Sequence, residues 1–259
     1  MNQLDAQLKP ALVDLLLSLA DDKLMLGHLN SDWTGLAPIL EEDIAFSSLA
    51  QDDLAHAAAV YEFVAQLVGD DANRLAYGRK PDEYRCAAIT TMPDGQDWAV
   101  AIARQFFCDH FDHLRLARLA ASNFEPLRAL AAKMLAEERL AIGHADQWLV
   151  RLGRGGDEAR KRMQAAVDRL SAPACMLFEP TRGVASLESA GVYPPGPTEM
   201  FSQWRAAVEN VIEEATLRAT LAPPAPGVAG GRSGRHSPEF DPLLAEFTEV
   251  YRVEPVASW

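Results

Sequence analysis

Apolar residues along this chain recur three and four positions apart over long stretches, while alternating runs rich in Val, Ile and Thr are nearly absent. That spacing is the signature of helices with one face in a core, so the pattern predicts an all-α protein. A first helix is expected over about 10–29, with Leu12, Leu15, Leu19, Asp22, Leu26 and Leu29 on one face, broken by "NSDWTG". A second is expected over about 40–68 and ends at "GDDANRL". Residues 70–95, with Pro81, Pro93 and Gly95 among polar residues, read as a long crossover of the kind helix bundles use.

A third helix is expected over about 97–122, and a fourth over about 125–152 after a turn so short that the two must be antiparallel neighbours. The fourth ends in "RLGRGG", basic and then glycine-rich, as helix C-termini tend to be. Further helices are expected over about 157–177, 184–190 and 198–221. The stretch "APPAPGVAGGRSGRHSPEF" reads as an extended loop, followed by a last helix to about 251 with Ser237 as N-cap and Pro238 in its first turn. No repeat or linker divides the chain, which is expected to be a single domain over 1–259, with a core bundle over about 10–152 and accessory helices over about 157–251.

Polar residues interrupt the apolar stripes at similar depth. On the second helix the stripe Phe46, Leu49, Asp53, His56, Val60, Phe63, Leu67 points Asp53 and His56 inward, with Glu42 on the same line. Asp22 holds the matching slot on the first helix. The third helix gives Trp98, Ile102, Asp109, Asp112 or His113, Leu116 and Leu119; the fourth gives Leu127, Leu130, Met134, Glu137 or Glu138, Ala141, His144 or Ala145, Trp148 and Leu152. Burying an unpaired carboxylate costs several kcal/mol, so carboxylates meeting in one bundle need cations, histidines or shared protons.

Two arrangements answer that need. One is a ferritin-like di-iron bundle, with a carboxylate from each of two helices and a Glu-x-x-His pair from each of the others. Asp53-x-x-His56 fits one pair with Asp for Glu, but Glu138 is followed three residues on by Ala141, so the second histidine is missing. The other is a buried polar network in which Arg104, Arg115 or Arg139 neutralises the acids. The candidate metal set is accordingly Asp22, Asp53, His56, Asp109, Asp112 and Glu138, as a degenerate site.

Composition narrows the function classes. The 259 residues are 49% hydrophobic, enough for a sizeable core, and the net charge of -13 argues against binding a phosphate backbone. No stretch has the uninterrupted apolar length of a membrane span, and the N-terminus lacks the marks of a signal peptide, so no nucleic acid or membrane partner and a cytoplasmic setting are expected. Cys86, Cys108 and Cys175 lack metal or disulfide spacing and read as free thiols, with Cys108 in "RQFFCDHF" either a small core residue or a nucleophile beside His110 and His113. Arg232, Arg235 and His236 read either as an anion-binding cluster or as a docking or capping loop.

Several stretches together resemble a known family. "LADDKLMLGHLNSDWTGLAPILEEDIAFSSLAQDDLAHA", "AIARQFFCDHF", "WLVRLGRG" and the tail "GGRSGRHSPEFDPLLAEFTEVYRVEP" ending in "SW" look like the PaaC-type structural subunits of bacterial phenylacetyl-CoA epoxidases. The resemblance implies a ferritin-like bundle in phenylacetate catabolism, without a catalytic centre or cofactor of its own. It would pair with a di-iron sister subunit that epoxidises the CoA-bound aromatic ring, and homodimers suit such a bundle as well. It also implies that Asp22, Asp53 with His56, Asp109 or Asp112, and Glu138 match the metal-bearing positions of the catalytic relative, with Ala141 in place of its second histidine. "DDLAHA" stands where the family suggests an "LDLLGQA"-like run, so His56 replaces a glutamine. That departure leaves open a divergent paralogue that is itself an iron-dependent, di-iron or mononuclear oxygenase or oxidase.

Overall fold

A computed structural model describes residues 4–194, 197–225 and 227–255, and their side chains apart from Arg139, Leu140, Pro197 and Thr198. Among the described residues every regular element is helical, and the fold class is all-α of the ferritin-like kind. The α-helices are α1 (Lys9–Ser31), α2 (Leu40–Val68), α3 (Ala72–Tyr77), α4 (Trp98–Ala120), α5 (Glu125–Gly153), α6 (Asp157–Cys175), α7 (Val184–Ser189), α8 (Pro197–Glu214), α9 (Phe240–Phe247) and α10 (Glu249–Val253). They fall into two compact units, one holding α1, α2, α3, α9 and α10 and the other α4, α5, α6, α8 and nearly all of α7.

In the first unit α1 and α2 lie antiparallel. Trp33 meets Phe46 edge to face near the connecting turn, Asn30 reaches Asp53, and Asp21 reaches Tyr61 farther along. Pro10 sits in the first turn of α1, where its missing N–H costs nothing. The six residues expected on one face are all buried, but so is every residue from Ser18 to Gly27. A helix buried all round must find partners for Asp14, Asp21, Asp22 and Lys23, and this requirement organises the rest of the unit.

On α2 the buried positions are Phe46, Ala50, Asp53, His56, Ala57, Val60, Tyr61, Val64 and Ala65. Leu49, Phe63 and Leu67, expected on the same stripe, are only half-buried. A strict three-four alternation follows a 3.5-residue repeat, from which a straight α-helix drifts about 20° per heptad, enough to turn Leu67 away by the end of the helix.

The crossover after α2 is more ordered than its composition suggests. Asp71 caps α3 by accepting a hydrogen bond from Arg74 N at 2.8 Å, and two 3-10 turns, Pro81–Glu83 and Ala88–Thr91, follow. The segment lies along α1 and satisfies its acids. Arg85 Nε donates to Asp14 (2.9 Å), the Arg79 guanidinium donates to Asp21 alongside the Tyr61 hydroxyl of α2, and Ala87 N donates to Asp22 (2.8 Å). The C-terminal helix starts later than expected: α9 opens at Phe240 with Glu239 at the N-cap, and Ser237 stays in the preceding turn, its carbonyl accepting from Phe240 N. A break at Thr248 separates α9 from α10.

In the second unit Asp97 caps α4 through Ala99 N, and Trp98 meets Trp148 edge to face at 5.5 Å, so α4 and α5 are antiparallel across their four-residue turn. The core beside them is aromatic: Phe178 contacts Phe111, Phe201 and Trp204, and the Trp204 indole N–H donates to Phe107 O. The eighth helix stops at Glu214 instead of near 221, because Thr216 takes a positive φ of 59° and Leu217 N returns to Ile212 O.

Candidate functional site

All six expected residues are buried: Asp22, Asp53 and His56 in the first unit, Asp109, Asp112 and Glu138 in the second. Where the pattern left a choice, the structure makes it. Asp112 is buried while His113 is half-exposed, Glu138 is buried while Glu137 is exposed, and Ala145 is buried while His144 is half-exposed. Ala141 is buried one turn beyond Glu138.

The chemistry of the site lies in what faces each acid. Lys23 Nζ donates to Asp53 Oδ1 at 2.9 Å, with side-chain exposures of 1% and 6%, and Asn30 Nδ2 reaches Asp53 Oδ2 at 3.3 Å. Arg232 grips Asp22 with two nitrogens, Nη1 to Oδ1 at 2.9 Å and Nη2 to Oδ2 at 2.6 Å. Its Nη1 also donates to the carbonyls of Ser18 and Arg85. In the second unit Gln105 Nε2 donates to Asp109, and Arg115 pairs with Asp112 one turn along the same helix. Asp22, Asp53, Asp109 and Asp112 thus each receive a side-chain donor from the protein, and Arg232, Lys23 and Arg115 bring a positive charge to Asp22, Asp53 and Asp112.

Sequence spacing reached Arg115, but not Lys23 or the role of Arg232. The three loop residues, read as an anion-binding cluster or as a docking or capping loop, take separate places. Arg232 is inside, Arg235 is exposed, and His236 stacks on Phe240 with Nε2 3.3 Å from Tyr84 O. Gly231 and Gly234 allow the loop to lie this deep: a Cβ on Gly231 would fall 1.8 Å from Cys86 O, and one on Gly234 2.2 Å from Asp82 O. Arg104, the other arginine considered for the network, pairs with Asp94 at 3.0 Å, while the Arg139 side chain lies outside the described residues.

Around Asp21 a second network forms that the sequence did not single out. Tyr61 and the Arg79 guanidinium donate to this carboxylate, and the guanidinium lies 4.0 Å over the Tyr84 ring centroid. Burial, and then the charge of Asp21, push the Tyr61 hydroxyl well above the usual phenol range. Burial pushes the Cys86 thiol up, with Asp21 and Asp22 adding to the effect, and burial pushes Cys175 up too. All three cysteines are free and buried, so Cys108 has the environment of a core residue.

A family model described as "Phenylacetic acid catabolic protein" matches residues 1–259. The chain belongs to the phenylacetic acid catabolic protein family. It is also 32% identical over 244 residues to the C-subunit of the 1,2-phenylacetyl-CoA epoxidase of Escherichia coli (strain K12), across 94% of this chain and 97% of that protein. The PaaC-type resemblance of the quoted stretches is therefore borne out. No described helix of this family member is long and apolar enough to cross a membrane.

A di-iron centre is the group the ferritin-like fold implies, and the residues present do not fit it. Such a centre takes a Glu-x-x-His pair from each of two helices. Here the second pair lacks its histidine, Asp53 already holds an ammonium group and Asp22 a guanidinium.

Proposed function

We propose that this chain is the non-catalytic structural subunit of a multicomponent phenylacetyl-CoA ring epoxidase, acting in the cytoplasm beside a di-iron sister subunit. The observation that carries the reading is Lys23 on Asp53 at 2.9 Å, with Arg232 on Asp22 as its counterpart. In this reading Asp22, Asp53, His56, Asp109, Asp112 and Glu138 are the positions of an ancestral metal set, and protein cations have taken over the charge balance. These cations remove the net negative charge that would draw a metal ion in: two unit charges 4 Å apart interact by about 4 kcal/mol at an effective dielectric constant of 20, so the repulsion from each ammonium or guanidinium offsets an attraction to its carboxylate of similar size. What the bundle then offers the reaction is a rigid surface for a partner, not a redox centre.

The test is metal analysis of the chain produced in iron-rich medium, alone and together with a sister bundle subunit. The expected result is co-purification of the two chains with iron in the sister alone. About two irons per copy of this chain would overturn the reading in favour of an oxygenase in its own right. Failure of the two chains to associate would overturn the scaffold role.

A further inference from the structure

Where α1 runs out beside α9, three side chains with metal-ligating atoms converge apart from the Asp22 and Asp53 networks. His28 lies in the last turn of α1, Asp32 is the C-cap residue four positions on, and Glu246 comes from α9. One ligand atom from each lies within 4.8 Å of the others. The spacing of His28 and Asp32 puts both on one side of the helix end, and Glu246 closes the group from a segment over 200 residues away in sequence.

The imidazole is held in place. Its ring packs against Phe247 with centroids 5.6 Å apart, and Phe247 is in turn contacted by Tyr77 and Tyr84. Its Nε2 is buried and has no hydrogen-bond partner among the described atoms, since Glu246 Oε1 at 4.0 Å is beyond hydrogen-bond reach. Ligand atoms of a tetrahedral zinc ion with bonds of roughly 2.0–2.2 Å lie about 3.3–3.6 Å apart, so a small rotation of the exposed Glu246 side chain brings its carboxylate from 4.0 Å into range. Asp32 supplies a second carboxylate oxygen to the same group.

We propose that His28, Asp32 and Glu246 bind a first-row divalent cation of the zinc type, with water completing the coordination. One imidazole and two carboxylates suit borderline ions better than calcium, which takes only oxygen ligands. The ion would tie the end of α1 to α9 and so fix the C-terminal segment. This site is independent of the proposed role in the epoxidase and of the Asp22 and Asp53 networks.

The experiment is calorimetric titration of the untagged full-length chain with Zn2+, compared with His28→Gln and Glu246→Gln, and trypsin digestion of the C-terminal segment with and without the ion. Glu246 is 65% exposed at its side chain, so its substitution leaves the fold intact. Loss of an outer-shell partner alone weakens metal sites by roughly 10–100-fold, so loss of either ligand should weaken binding by at least that much. The expected result is one equivalent bound by the parent chain, that loss in both variants, and slower cleavage after α9 with zinc. Absence of binding at about 1 mM zinc, the weak limit of specific association, or equal affinity in the parent and both variants, overturns the proposal.

Discussion

Lys23 and Asp53 form an ion pair 2.9 Å long between α1 and α2, inside a helix pair that excludes water from both. Breaking such a pair from one side strands the other charge, at a cost of about 3–5 kcal/mol, whereas replacing both partners with apolar or neutral groups can be close to neutral. Lys23→Met is therefore expected to destabilise the chain by about 3–5 kcal/mol in urea denaturation. Lys23→Met with Asp53→Asn should recover the larger part of that loss. Equal destabilisation by the single and double variants would mean that the pair is not what holds the two helices in register.

The Arg232 loop should behave as a staple on α1. Arg232→Met leaves Asp22 buried against Ala87 N without its guanidinium, and a loss of about 3–5 kcal/mol is expected for the same reason. Gly231→Ala reaches a similar result by a different route, since its Cβ cannot share space with the Cys86 carbonyl and the loop must lift. Both variants should open residues 229–239 to limited proteolysis in the otherwise folded chain. A Gly231→Ala chain with unchanged melting temperature and protease resistance would contradict the close approach.

How much of this was legible in the sequence can be judged at α1 and α2. Period 3.6 located both helices, and the stripe placed Asp53 and His56 inside. It failed where burial stops being periodic. Residues 18–27 of α1 are all buried, so no stripe could distinguish Asp22 from Asp21 or bring forward Lys23 between them and the leucines. Arg115 was reachable because its partner lies three residues away on the same helix, while Arg232 and Asp22 are 210 positions apart. Only the chain path between them, through a loop whose composition reads as flexible, makes them neighbours. Ala141 was the one local clue that the metal set is incomplete, and the cations that complete its charge balance were mostly not local at all.

The three thiols give a direct measure of core integrity. Cys86, Cys108 and Cys175 are buried, and burial raises the Cys86 and Cys175 thiols above their usual range, which lowers their thiolate fraction further. Iodoacetamide at about pH 8, near the ordinary cysteine value, should leave the native chain unmodified and label all three cysteines after unfolding in urea. Rapid labelling of Cys108 in the native chain would revive the nucleophile reading that its burial argues against.

His236 supplies the pH dependence. Burial lowers its pKa below the ordinary imidazole value of 6.5, outweighing the hydrogen bond to the Tyr84 carbonyl and the charges of Asp21 and Asp241, while Arg85 acts in the same direction as burial. A group whose folded pKa is depressed takes up its proton more readily in the unfolded chain, so stability rises with pH between the folded and unfolded values. The contribution is complete above 6.5 and is lost as pH falls through the lower folded value. Protonation would also set a charge stacked on Phe240, 4.0 Å between centroids, at the foot of the loop that carries Arg232. His236→Gln keeps a polar side chain that does not titrate. Urea denaturation midpoints measured from about pH 7.5 down to about 5.5, a range that spans the imidazole reference value, should fall more steeply for the parent chain than for the variant. Parallel curves would show that His236 takes up its proton equally in both states, and the folded environment described for it would then be wrong.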